Sequence, residues 1–93
     1  MTMTVKFFAT LRASLGVGSV DLEHDGPITV GEALHRVEQQ TGKPIMQELF
    51  EDDGSMRVGA MVLVDGKNIS HLNGLETTVQ SETLSVFPPA GGG

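Results

Sequence analysis

The chain lacks cysteine, tryptophan and tyrosine, and these absences exclude several functional classes. Without cysteine it has no thiol nucleophile, no disulfide and no thiolate metal ligand, which is consistent with a reducing compartment. The sequence has only four phenylalanines, which provide few aromatic rings for stacking with nucleic-acid bases or flavins. The chain also lacks an apolar run of membrane-spanning length and a basic-apolar signal peptide. We therefore expect a soluble, cytoplasmic protein.

Positive charge is scarce as well. Six basic residues stand against twelve acidic ones, which gives a net charge of −6, and no lysine–arginine cluster is present. Nucleic-acid binding relies on a basic face, so this composition argues against it. The acidic surface favours solubility and suits a basic protein partner. A length of 93 residues is enough for one domain with a single modest core.

Residue patterns for metal binding or catalysis are also missing. His24, His35 and His71 lie in a predicted turn, helix and loop without ligand spacing, so we expect no metal site. The acidic loop 51–55 lacks the pattern of a calcium-binding EF-hand. A phosphate-binding loop requires a lysine and a helix after its glycines, and the final glycines of this chain are followed by neither. The chain is therefore not expected to be an enzyme by itself, and the reactive group that remains is the Gly93 carboxylate.

Strand-forming residues that alternate in polarity predict four strands. These are residues 4–10, 18–22, 59–65 and 83–87, with turns at 14–16 and 65–66. The third predicted strand is nearly continuous in apolar residues, which indicates burial on both faces or cover by a partner. In the last strand, Leu84 and Val86 share the inward face, whereas Phe87 lies on the polar face. Phe8 lies on the polar face of the first strand in the same way.

One long helix is predicted between the second and third strands. Its start is placed at Thr29, because Thr29 and Glu32 have the spacing of a capping box. Four apolar residues then follow at helical spacing, Val30, Ala33, Leu34 and Val37. The helix is expected to end at Gly42. A short helical turn is predicted over 45–50. A crossover over 68–79 is expected to be anchored by Ile69, Leu72 and Leu75.

Together these elements predict an α+β roll in two layers, with the main helix packed on one face of a mixed sheet of four to five strands. If the first and last strands are neighbours, Phe8 and Phe87 both lie on the sheet face opposite the helix. They would then form an apolar patch at the root of the C-terminal tail, and such patches usually mark protein contacts. The plain alternative is two isolated surface phenylalanines, which need no explanation.

The C-terminal tail is the most unusual part of the sequence. Pro88 and Pro89 cannot donate ladder hydrogen bonds, so strand pairing is expected to stop at Phe87. The three final glycines leave the backbone without side chains. Fully extended, residues 88–93 would reach about 20 Å, far enough to enter a narrow channel in a partner. A frayed terminus is the alternative. We predict a domain over residues 1–87 and a flexible tail over 88–93.

Several of these segments resemble the ubiquitin-like sulfur-carrier family, in particular the small subunit of molybdopterin synthase and its relatives. Residues 5–12 are similar to the first strand of that family and end at Arg12, and residues 62–69 are similar to its hairpin turn. The most specific likeness is the tail, with Pro88 and Pro89 followed by the terminal pair Gly92 and Gly93. Ala90 stands where valine is usual, Gly91 is an extra glycine, and residues 80–82 lack the usual turn glycine.

The resemblance implies a β-grasp fold and a carrier function. In this family an E1-like enzyme uses ATP to adenylate the terminal carboxylate, here that of Gly93, which then becomes a thiocarboxylate. The thiocarboxylate donates sulfur, and molybdopterin (molybdenum or tungsten cofactor) biosynthesis is the best-known destination. The chain itself would bind no cofactor and no metal, because the partner uses the ATP. It would act as a carrier subunit within a partner enzyme and be monomeric when free.

The resemblance also implies two partners, the E1-like enzyme and the large subunit of molybdopterin synthase or another sulfur-accepting enzyme. Gly92 and Gly93 are expected to form the reactive end, and the residues expected to contact the partners are Phe8, Arg12, Ile69, Phe87, Pro88, Pro89, Ala90 and Gly91. Other destinations stay open, namely cysteine synthesis, tRNA thiolation and thiocarboxylate metabolites. A protein modifier joined to lysines through Gly93 is a second class, and an interaction module with an inert tail is a third.

Overall fold

The computed structural model describes residues 1–89. The strands are β1 (Thr2–Phe7), β2 (Ser19–Glu23), β3 (Ile28–Thr29), β4 (Met61–Val64), β5 (Lys67–Asn68), β6 (Thr78–Val79) and β7 (Leu84–Phe87). The helices are α1 (Ala9–Leu15), α2 (Val30–Thr41) and α3 (Ile45–Leu49). Two short 3₁₀ turns, Ile69–His71 and Gly74–Glu76, lie between β5 and β6.

The main sheet has five strands in the order β2-β1-β7-β4-β5. The first and last strands, β1 and β7, are central neighbours and run parallel, whereas the other pairs are antiparallel. Strands β3 and β6 form a separate antiparallel ladder of two residues each. This mixed sheet, with α2 on one face, is the β-grasp arrangement that the resemblance implies. The expected α+β roll is confirmed.

Helix α2 forms as its sequence pattern predicts. The hydroxyl of Thr29 accepts a hydrogen bond from the backbone N–H of Glu32 at 3.1 Å, which caps the first turn. The helix ends before Gly42, whose φ of 73° is in the left-handed region that glycine adopts without strain. All four predicted apolar residues are fully buried, namely Val30, Ala33, Leu34 and Val37. They pack against the inward face of the sheet and form the core with it.

The turn between β4 and β5 also has the predicted form. Asp65 and Gly66 both have positive φ, 48° and 87°, which is the signature of a tight type I′ hairpin. The Asp65 carboxylate additionally accepts a hydrogen bond from the backbone N–H of Thr83 at 2.8 Å. The turn is thereby tied to the segment that leads into β7.

Leu84 is expected to be a strong determinant of stability. Its side chain is fully buried where β7 faces α2, and shortening it to alanine would leave a cavity. We expect Leu84→Ala to lower the free energy of unfolding by about 2–5 kcal/mol. The neighbouring Ser85→Ala is the control, because Ser85 is half-buried on the opposite face and should change stability little. Urea unfolding of both variants measures the difference, and equal effects would mean that the two faces of β7 are wrongly assigned.

The first strand and the turn after it differ from the prediction. Strand β1 ends at Phe7 instead of residue 10, and the expected turn at 14–16 is the last part of α1 and its cap. The alternation of polar and apolar residues continues in the sequence past the end of β1. The backbone nevertheless leaves the strand direction at Ala9, where φ is +53°. Leu11 and Leu15 have the i, i+4 spacing of a helix, and Gly16 ends α1 with a φ of 77°.

The crossover from β5 to β6 is anchored by two of its three predicted residues. Ile69 is buried, and Leu75 packs against the core from the second 3₁₀ turn. Gly31 of α2 lies against Leu75, since a Cβ added to this glycine would stand 3.4 Å from the Leu75 Cβ. Leu72, by contrast, is 41% exposed, so its prediction as an anchor is wrong. The two 3₁₀ turns change the side-chain direction within a few residues, and a simple periodicity does not reveal this.

Candidate functional site

Two phenylalanines stack at the end of the two central strands. Phe8 directly follows β1, and Phe87 is the last residue of β7. Their ring centroids are 4.3 Å apart and their planes differ by 9°. The backbone N–H of Phe8 donates a hydrogen bond to the carbonyl of Val86 at 3.2 Å, which holds the two chain segments together. The expected aromatic pair therefore exists at the root of the tail, with both rings partly exposed.

Strand β4 extends this aromatic pair into a larger apolar area on the outer sheet face. Met61 lies opposite Phe87 in the antiparallel register, and Leu63 lies opposite Ser85. Both are half-buried, whereas the alternate residues Val62 and Val64 are buried in the core. We call Phe8, Met61, Leu63 and Phe87 the outer patch. These four side chains are partly exposed, and Met61 and Leu63 account for the apolar sequence of β4 on both faces.

Ile69 does not belong to this surface. Its side chain is 1% exposed and packs in the core, so the expectation that it contacts a partner is wrong. Leu63 pairs with Asn68, which places Asn68 at the outer-face position of β5. Side chains alternate between faces along a strand, and a shift of one residue therefore moves a contact from the surface to the core. The half-buried Asn68 is the residue that adjoins the outer patch.

The root of the tail is packed. Strand pairing stops at Phe87, as the two prolines predict. Pro88 is nevertheless buried and Pro89 is half-buried, so the packed domain reaches at least one residue beyond the expected boundary. The predicted tail residues Ala90, Gly91, Gly92 and Gly93 lie outside the described residues.

Arg12 is exposed on α1, and its guanidinium lies against Gly18. The other two arginines have ionic partners: Arg36 binds Glu32 at 3.0 Å, and Arg57 binds Glu51 at 2.8 Å. Within residues 1–89, no side-chain hydrogen bond or ion pair engages Arg12. The sequence resemblance singled out Arg12, whereas the helix that carries it was missed. Gly16 as a helix cap was the signal that could have revealed it.

His24 and the acidic loop 51–55 have structural explanations. His24 is buried, and its Nδ1 lies 2.8 Å from the carbonyl of Gly26, which closes the turn after β2. In the loop 51–55, the Asp53 carboxylate accepts hydrogen bonds from the hydroxyl and backbone N–H of Ser55, and these lower the pKa of Asp53.

Over the described range 1–89, no group of three potential ligands could hold a metal ion. None of the helices there has the length and apolar content needed to cross a membrane.

Comparison with known proteins assigns this architecture to a ubiquitin-like class of sulfur carriers and small modifiers. The ThiS family model matches residues 5–93, and the chain belongs to this family. The chain is 34% identical over 94 residues to small archaeal modifier protein 3 of Haloferax volcanii, with 100% of both chains covered. It is 30% identical over 84 residues to a putative sulfur carrier protein of Archaeoglobus fulgidus, covering 89% of this chain and 93% of that protein.

A solved structure supports the same fold. The crystal structure of SAMP1 from Haloferax volcanii matches with a TM-score of 0.77 and 31% sequence identity, and the match covers 100% of both chains. The β-grasp fold and membership of the ubiquitin-like sulfur-carrier family, which the sequence resemblance implied, are therefore confirmed.

Proposed function

We propose that this protein is a sulfur carrier whose Gly93 carboxylate is adenylated by an E1-like enzyme and converted to a thiocarboxylate. The carboxylate attacks the α-phosphorus of ATP and pyrophosphate leaves, which gives an acyl adenylate. A sulfide-level nucleophile then displaces AMP and leaves the terminal –CO–S⁻ group. The observation that carries this proposal is the Phe8–Phe87 stack at the root of a tail that ends in glycines.

The outer patch and the tail have complementary roles in this proposal. The outer patch offers apolar area with which the domain docks on the outside of a partner. The tail then reaches a reaction centre inside the partner, because its last three residues have no side chains to obstruct a channel. Gly93 also has no β-substituent to hinder attack on its carbonyl carbon. We assign the ATP and its metal ion to the activating enzyme, since a chain with a net charge of −6 disfavours binding of a polyphosphate.

We propose molybdopterin biosynthesis as the destination of the sulfur, with the large subunit of molybdopterin synthase as the second partner. This destination is supported by the similarity of the tail and the first strand to the small subunit of that enzyme. Cysteine synthesis, tRNA thiolation and thiocarboxylate metabolites use the same terminal group, and deletion of the gene distinguishes them. Loss of molybdoenzyme activity supports the first destination, and loss of tRNA thiolation with normal molybdoenzymes supports another.

Protein modification is the second candidate function, and the similarity to a protein named small archaeal modifier protein 3 favours it. The same acyl adenylate would then be attacked by a lysine amine, which gives an isopeptide bond to Gly93 and releases AMP. An epitope added before Met1 would reveal conjugates as slower bands in a lysate blot. Bands that disappear when Gly92 and Gly93 are deleted support modification, and their absence under sulfur and oxidative stress contradicts it.

The proposed activation is tested with the purified chain and candidate E1-like enzymes of its source organism. We expect ATP–pyrophosphate exchange that depends on this protein and is lost when Gly92 and Gly93 are deleted. The deletion leaves the packed domain intact, since residues up to Pro88 hold the core and the tail root. Exchange that persists in the deletion variant would contradict activation at Gly93. A deletion without effect in cells would favour an interaction module with an inert tail.

A further inference from the structure

Met61 brings an oxidisable group into the outer patch. The sequence contains no cysteine, so its five methionines are the side chains that carry sulfur. A thioether is apolar until a peroxide oxidises it, after which the sulfoxide is polar and accepts hydrogen bonds. The effect of that change on the protein depends on where each methionine lies in the fold.

Four of the methionines lie away from the outer patch. Met3 is fully buried in β1, and Met1 is 52% exposed at the start of the chain. Because β1 runs parallel to β7, Met1 lies at the end of the sheet away from the tail root. Met46 and Met56 are half-buried and pack against the core. Oxidation at these four positions would therefore leave the polarity of the outer patch unchanged.

Met61 lies on the outer face of the sheet. It is half-buried in β4, and Phe87 is its antiparallel partner on β7. The Cβ atoms of directly opposed residues are about 4.5–5.5 Å apart, which places the Met61 side chain beside the ring that stacks on Phe8. The next residue, Val62, is fully buried on the other face. A change of polarity at Met61 would therefore alter the outer patch and leave the core as it is.

We propose that Met61 is a site of reversible oxidation that switches off docking through the outer patch. This proposal rests on the proposed function. Hydrogen peroxide transfers one oxygen atom to Sδ: an S–O bond forms, the O–O bond breaks, and water leaves. The sulfur loses the two electrons that the peroxide gains. The sulfoxide oxygen would then be buried against the partner without a hydrogen-bond donor, and this opposes binding.

Met61 is the member of the outer patch that can respond to an oxidant. Phe8, Leu63 and Phe87 have hydrocarbon side chains, which dilute peroxide leaves unchanged. Methionine sulfoxide reductases convert the sulfoxide back to the thioether, so the same chain regains its apolar surface. Docking would thus stop under oxidising conditions and resume after reduction, without new synthesis of the protein.

Peroxide treatment of the full chain tests the proposal. Catalase removes the excess peroxide, peptide mass mapping locates the added oxygen, and calorimetric titration against the purified E1-like enzyme of the source organism measures Kd. We expect Kd to rise about 10-fold or more when Met61 is oxidised. Reduction of the same sample with methionine sulfoxide reductases should restore the original Kd.

Met61→Leu is the matched variant, because leucine is apolar, similar in volume and resistant to peroxide. The other four methionines remain in this variant, so any effect of their oxidation on folding or binding is equal in the two proteins. We expect the treated variant to keep the Kd of its untreated form. Treated wild type and treated variant should also have the same melting temperature, because Met61 lies outside the core.

The outcomes separate this proposal from the proposed function. An unchanged Kd for wild type that carries the sulfoxide at Met61 would overturn the oxidation proposal alone. Equal losses of affinity in wild type and Met61→Leu would assign the effect to another methionine and would overturn it too. So would a treated chain in which Met1 is oxidised and Met61 is not. An untreated wild type that no E1-like enzyme binds would overturn both proposals.

Discussion

One residue added after Gly93 is expected to abolish activation of the protein. The added residue moves the reactive carboxylate by about 3.3 Å and replaces it with an amide, which cannot attack ATP. The new terminal carboxylate would stand outside the geometry in which the reaction centre holds the end of the tail. Displacements much smaller than this reduce enzymatic rates about 100-fold. We therefore expect a fall of at least that size in ATP–pyrophosphate exchange, with no change in melting temperature.

The extension can be made reversible, which supplies its control. If the added residue is lysine, carboxypeptidase B removes it and regenerates the Gly93 terminus in the same preparation. Exchange should return after this treatment, and intact mass should confirm that one lysine has been lost. Retained AMP-ester formation in the extended chain would refute the assignment of Gly93 as the reacting residue. Failure to recover activity after trimming would show that the preparation, and not the terminus, was defective.

Phe87→Ala is expected to weaken partner binding more than it weakens the fold. The Phe87 ring is half-buried on the outer face and stacks on Phe8, so its removal costs the fold about 0.5–1.5 kcal/mol of stacking energy in addition to the apolar area that the ring already buries. At the centre of a docking surface, loss of the same aromatic ring should reduce the binding free energy by about 2 kcal/mol or more, which raises Kd roughly 30-fold. Calorimetric titration against the activating enzyme measures the affinity, and thermal unfolding measures the stability.

Ser85→Ala is the matched control for this variant. Ser85 precedes Phe87 by two residues on β7, lies opposite Leu63, and is half-buried on the same face. Its truncation should change neither Kd nor melting temperature appreciably. If Phe87→Ala reduced stability and binding free energy by equal amounts, the ring would be serving the core, and the outer patch would not be a docking surface.

The helix α2 and the last strand could be predicted because local signals there agree with tertiary packing. In α2 the Thr29 cap, the apolar spacing and Gly42 all indicate the same ends. In β7 the alternation of Leu84 and Val86 with Phe87 matches the observed burial. The neighbouring position of β1 and β7 was an assumption about topology, and it is what brings Phe8 against Phe87.

The elements that could not be predicted depend on backbone conformations that their residue types rarely adopt. Ala9 has a φ of +53°, and this corner converts an apparent strand into the start of α1. Without α1, the position of the Arg12 guanidinium beside Gly18 could not be foreseen. The error at Ile69 has a different cause. The short strand β5 is followed at once by a 3₁₀ turn, so the outer-face position falls on Asn68.

The intact mass of the protein, purified gently from its own host, tests the central claim most directly. The account predicts a fraction that is heavier by the exchange of one oxygen for one sulfur, with the difference confined to the fragment that contains Gly93. A thiol-specific alkylating reagent should shift this fraction alone, because the sequence contains no cysteine. A mass that matches the plain carboxylate, and that stays unchanged after incubation with ATP, sulfide and the candidate activating enzymes, would contradict the account.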